Sequence, residues 1–186
     1  MTTRTEYKLE EARFFLAHLE KHWNHVPHVD FYLSAFVSAA RSVTWIMKAE
    51  FSDVSGWKEW YEGKKPSREI RDLLKTMNDV RVRAVKTTPL KTRTTANVTI
   101  PPEDVTPRVL ALLEGGTRQL IHLEPIDETN TVFHIKHGDE ILAKAHLNSA
   151  SHELPEFGGR DAKDVCREYL TELEGVVSEC LSTFKP

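Results

Sequence analysis

Apolar residues recur at helical spacing in long runs at both ends of this chain but not in long runs in its middle, which constrains the fold more than any other feature. Near the start, Leu9, Ala12, Leu16, Leu19, Trp23 and Val26 follow one another at steps of three and four. That spacing predicts a helix over 5–26 with one apolar stripe. Near the end, Cys166, Leu170, Leu173, Val177, Cys180 and Phe184 repeat the pattern and predict a helix over 161–184. Between them, after Pro89, threonine and β-branched residues take over in KTRTTANVTI, which reads as a strand.

The first half carries three further helical patterns. Pro27 ends the first helix, and Asp30 is placed to cap the second, FYLSAFVSAARSVTWIMKAE. Its apolar stripe is Leu33, Phe36, Ala40, Val43 and Met47. A second stripe is small: Ser34, Ser38 and Ser42, with Ala35 and Ala39 beside them. Such a helix is expected to be central, with Arg41 needing a carboxylate, a carbonyl or solvent. The segment GWKEWYEGK sets Trp57, Trp60 and Tyr61 on one side as an aromatic lid. Pro66 and Ser67 start another helix with core positions Ile70, Leu73, Met77, Val80 and Ala84, and with Asn78, Arg81 and Val85 along one edge.

In the middle, Thr106-Pro107 opens a short helix, VLALLE, that Gly115-Gly116 ends. RQLIHLE, TVFHIKH and, after the Gly138-Asp139 turn, EILAKAHL read as antiparallel strands. The expected architecture is mainly α: a bundle of four or five helices with a small antiparallel β insertion before the last helix. It forms a single domain over 1–186, with a helical core at 5–90, the insertion at 91–150 and a C-terminal helix at 160–184 packing back on the core.

Composition narrows the function classes. No apolar run approaches the ~20 residues that span a bilayer, and MTTRTEYKLEEARFF lacks the apolar centre of a secretory signal, so the expected setting is cytoplasmic, with no membrane partner. Cys166 and Cys180 would lie about 21 Å apart on one helix, too far to bridge. The net charge of −3 hides an asymmetry. Residues 64–93 hold ten basic and three acidic side chains, a stripe that attracts phosphate or meets the chain's own acidic half.

The order of these segments, a long helix, then FYLSAFVSAARSVTW, then WYE, then a helix ending in NDVRVRAVK, resembles the HEPN superfamily of small helical bundles over roughly residues 5–90. Many members are metal-independent endoribonucleases, often toxins. Their motif is an arginine followed by a polar residue, with a histidine five positions after the arginine, and it is thought to form a composite site across a homodimer. Arg81 stands at the motif arginine, Val82 at the polar residue and Lys86 at the histidine. Cutting RNA through its 2′-hydroxyl needs a proton acceptor and donor working near pH 7, which imidazole supplies and an ordinary lysine does not. The resemblance therefore implies a catalytically degenerate, non-enzymatic member, a homodimer that binds RNA or a nucleotide phosphate. The binding residues would be Arg81, Arg83 and Lys86, flanked by Arg71 and Lys75.

Two other readings stand beside it: an active ribonuclease toxin with its base from elsewhere in the fold, and a protein-interaction scaffold without nucleic-acid binding. No cofactor is implied. His18 and His22, at i and i+4, have the spacing of a zinc pair, but HLEKH lacks the HExxH glutamate and a structural role for the two is commoner.

Overall fold

The computed structural model describes residues 2–25, 28–64, 68–114, 121–126 and 131–184. Pro27, Lys65, Pro66, Ser67, Gly115 and Gly116 lie outside the described residues, as do Val26 and the side chains of Ala84, Val85 and His122. The described residues form six α-helices and one small sheet. The helices are α1 (Arg4–Lys21), α2 (His28–Phe51), α3 (Trp57–Gly63), α4 (Arg68–Lys86), α5 (Pro107–Glu114) and α6 (Ala162–Phe184). The strands are β1 (Arg93–Thr99), β2 (Ile121–Pro125), β3 (Val132–His137), β4 (Glu140–Leu154) and β5 (Arg160–Asp161). No helix among the described residues is long and apolar enough to cross a membrane.

The chain falls into two compact units. The larger holds residues 1–22, 27–93 and 152–186, and is built from α1, α2, α3, α4 and α6. Helix α2 is its axis, packing against α1, α4 and α6. Val29, Leu33, Phe36, Val37, Ala39, Ala40, Val43, Met47 and Phe51 of α2 are all buried. They meet the α1 stripe, and they meet Val165, Tyr169, Leu173 and Val177 of α6, with Phe36 and Tyr169 edge to face at 6.3 Å. The small stripe is half open rather than enclosed: Ser34, Ala35, Ser38 and Ser42 keep partial exposure while Ala39 and Ala40 are buried. Trp57 is buried and stacks on Tyr61 at 4.6 Å, and Trp60 meets Phe184 at 5.4 Å, so α3 does close one end with aromatics. Both cysteines are free and buried, and burial pushes the Cys166 thiol well up.

The smaller unit holds residues 23–26 and 94–151. Its sheet runs β1-β4-β3-β2, with β3 antiparallel to both β2 and β4. Val109 of α5 packs with Ile135, Ala143 and Ala145, and Val98, Ile100 and Leu142 border them. Arg108 clamps Glu140 through two hydrogen bonds of 2.7 and 2.6 Å. β4 runs seven residues past the expected EILAKAHL, and its last two residues, Glu153 and Leu154, pair with β5.

The first two helix boundaries differ from expectation. α1 stops at Lys21 although the apolar spacing continues; Trp23 lies outside the helix, and its Nε1 donates to the Ala150 carbonyl at 3.0 Å. α2 begins at His28, so Asp30 lies inside its first turn. Its carboxylate accepts from the Thr92 amide at 3.0 Å and the Thr92 hydroxyl at 2.9 Å. The same hydroxyl lies 3.3 Å from Nδ1 of buried His152.

The other end of α2 anchors α1. A helix start leaves four backbone N–H groups without intrahelical partners. Thr3 and Glu6 satisfy two of them in a reciprocal capping box. Glu50 of α2 takes the other two, from Arg4 at 3.0 Å and Thr5 at 2.8 Å, and also accepts from the Thr5 hydroxyl at 2.7 Å. Burial alone would raise the Glu50 carboxyl, but the Thr5 and Arg4 hydrogen bonds and the Arg4 charge outweigh it, and the pKa is lowered. Glu50→Ala is expected to cost about 2 kcal/mol at neutral pH, measured by urea unfolding. A carboxyl whose folded pKa is depressed stabilises fully above its ordinary value, and the contribution fades as pH falls through the lowered one. The gap between wild type and Glu50→Gln is expected to close as pH falls in that order; a gap independent of pH would contradict it.

Candidate anion-binding site

The larger unit places two arginines over one exposed indole. Arg41 and Trp45 are four residues apart on α2, so both lie on one face of that helix. Asn78 and Arg81 are three apart on α4 and share a face in the same way. Packing α4 on α2 joins the two pairs. The Arg41 guanidinium carbon lies 5.2 Å from the centre of the Trp45 ring, and that of Arg81 lies 5.7 Å away, both within cation–π range. Arg41 Nε donates to Asn78 Oδ1 at 3.0 Å, and Nη1 donates to the Thr44 hydroxyl at 2.9 Å.

These partners are neutral. Among the described residues no carboxylate pairs with Arg41 or Arg81. Arg81 Nε is buried and has no hydrogen-bond partner. A buried donor left unpaired costs roughly 1–3 kcal/mol, so it calls for an acceptor. Tyr169, almost wholly buried on α6, lies within the field of both arginines. Burial pushes its phenol up to about 12, and the positive charge of Arg41 and Arg81 only partly offsets the rise. Two unneutralised guanidinium groups, a buried N–H without an acceptor and an open aromatic ring form a place suited to an anion.

The residues expected from the sequence are distributed differently. Arg81 belongs to this site. Arg83, two residues on, lies about 160° round the helix and pairs with Glu156. Lys86 is the last residue of α4, is exposed, and lies about 140° round the helix from Arg81. Arg71 and Lys75 are exposed on the first half of α4. Arg41, Asn78 and Trp45 complete the constellation, and none of them stood among the expected binding residues.

His18 and His22 stack ring on ring at 5.8 Å, and both rings lie against Tyr32 at 5.3 and 5.1 Å. Phe14 covers His18 from 4.2 Å. Among the described residues no three metal-ligating side chains come together. A separate crevice of about 820 Å³ is walled by Ile70 and Leu74 of α4 and by Leu173 and Val176 of α6. Thr44, the acceptor of the Arg41 bond, also lines it.

Compared with models of known protein families, with curated proteins and with solved structures, the chain matches none. The site therefore rests on its own geometry.

The buried phenol provides a direct check. Tyr169 is expected to ionise near pH 12. In a spectroscopic pH titration Tyr169→Phe should remove the phenolate absorbance that appears near pH 12. Loss of phenolate absorbance at a clearly lower pH instead would show that Tyr169 is not enclosed as described.

Proposed function

We propose that this chain is a HEPN-like bundle that has lost its catalytic histidine and holds the phosphate of RNA or a nucleotide. The observation that carries the reading is the Arg41–Arg81 pair, left without a carboxylate among the described residues and set close to the Trp45 ring. Arg81 is the motif arginine of the resemblance, and Asn78, one turn before it, holds Arg41. At the histidine position the exposed Lys86 offers an ammonium and not an imidazole, so binding without cleavage is the expected behaviour. Lys86, Arg71 and Lys75 then serve as a surrounding positive field, to which Arg83, paired with Glu156, adds little; the field speeds and strengthens attraction of a polyanion without contacting its phosphate in one fixed way. The reading includes a homodimer. Its support is the exposure of Tyr7 and Phe14 on α1 and Phe31 on α2, large apolar side chains that this chain leaves uncovered. The same exposure favours the second reading, a protein-interaction scaffold.

Purified protein tested with RNA at two salt concentrations, without added metal, separates these. The expected result is salt-weakened binding with no cleavage, and a loss of roughly ten-fold or more in Arg81→Ala and Arg41→Ala. Lys86→Ala should lower affinity less and flatten the salt dependence slightly. Cleavage that disappears in Arg81→Ala would replace this reading with an active ribonuclease. No binding at either salt, with concentration-dependent self-association, would favour the scaffold.

A further inference from the structure

Trp45 does not serve the core. Its α2 neighbours Phe36, Val43 and Met47 are fully buried, whereas Trp45 remains 57% exposed. With more than half of its surface exposed, the indole keeps surface open to a ligand beside the two guanidinium groups. An exposed indole held by two cations, themselves without anionic partners, presents two kinds of demand at one place. The ring offers a flat apolar surface. Arg41 and Arg81 offer positive charge and N–H donors a few ångströms from its centre. Arg81 Nε adds a buried donor that lacks an acceptor. A carboxylate side chain or free phosphate would answer the arginines and leave the ring unused. A nucleotide answers both, because its base is planar and its phosphate is tethered at a short distance.

We propose that Trp45 is a stacking platform for a single unpaired nucleobase, whose adjoining phosphate is received by Arg41 and Arg81. The ligand class is a nucleoside phosphate, free or as part of an unpaired stretch of RNA. The inference rests on the phosphate-binding reading above and makes it more specific: a paired duplex, whose bases are stacked on each other, cannot place a base on Trp45.

The test measures binding of a labelled single-stranded oligoadenylate and of its duplex by wild type, Trp45→Leu, Trp45→Phe and Arg81→Ala. Adenosine monophosphate and inorganic pyrophosphate are added as competitors, and thermal unfolding confirms that each variant folds. The single strand is expected to bind at least ten-fold tighter than the duplex. Trp45→Leu should lose roughly ten-fold or more in affinity for it, and Trp45→Phe should recover much of that loss by restoring a ring. Adenosine monophosphate should compete better than pyrophosphate. Full competition by the mononucleotide would identify a free nucleotide as sufficient, and weak competition would identify an RNA segment; both keep the base on Trp45. Duplex binding as tight as single strand, or Trp45→Leu binding like wild type while Arg81→Ala fails, would overturn the stacking and leave the phosphate reading standing. If none of the oligoadenylate, the mononucleotide and pyrophosphate binds, the phosphate reading itself fails and this inference with it.

Discussion

The burial of helix α2 is the interaction on which the larger unit depends. Nine of its side chains are buried against α1, α4 and α6, and removing that apolar surface from water contributes about 25 cal/mol for each Å². Three helices can pack on one only if its surface suits each of them. Ala39 and Ala40 let a neighbouring backbone come close, while Leu33, Phe36, Val43 and Met47 fill the space between helices. A polar substitution at Phe36 or Val43 would therefore disturb several interfaces at once.

α2 also organises the polar contacts. A carboxylate near each of its ends holds a distant part of the chain: Asp30 takes the amide and hydroxyl of Thr92, and Glu50 takes the first N–H groups of α1. The two bonds sets work differently. Glu50 meets donors that any helix start exposes, and its negative charge also suits the positive end of the α1 dipole. Asp30 meets one residue of a connecting segment, and through the Thr92 hydroxyl it reaches the buried imidazole of His152. Between these ends Arg41 carries a charge into a largely apolar neighbourhood. It is satisfied by an amide oxygen and a hydroxyl and not by a carboxylate, so its positive charge remains available. The candidate site is thus a consequence of how α2 is packed. α4 could not bring Arg81 and Asn78 to Arg41 and Trp45 without resting on this helix.

Much of this was legible in the residues. Helical spacing located α2, α3, α4, α5 and α6, and a β-rich middle was evident from its threonines and branched side chains. The end of α1 was not, because Trp23 keeps the apolar spacing while its indole hydrogen-bonds to Ala150, far along the chain. The length of β4 was hidden for a similar reason: NSASHEL lacks a strong strand pattern, and pairing of Glu153 with Asp161 and Leu154 with Arg160 sustains its end. Arg81 was visible within the basic run of residues 64–93 and Arg41 as a charge in an apolar stretch. Trp45, four residues after Arg41, and Asn78, three before Arg81, were within reach of the same helical arithmetic, since both spacings put side chains on one face.

The sequence by itself determined which residues share a face of each helix, because that follows from 3.6 residues per turn and involves no distant partner. It also determined the positive charge of residues 64–93 and the absence of a histidine five positions after Arg81. Only the tertiary structure decided which faces meet. It turned Arg83 towards Glu156 and left Lys86 exposed, while Arg81 came beside Arg41 over the ring of Trp45. The reason is physical: charges clustered in sequence on one helix point in several directions, and the packing of a second helix selects which of them act together.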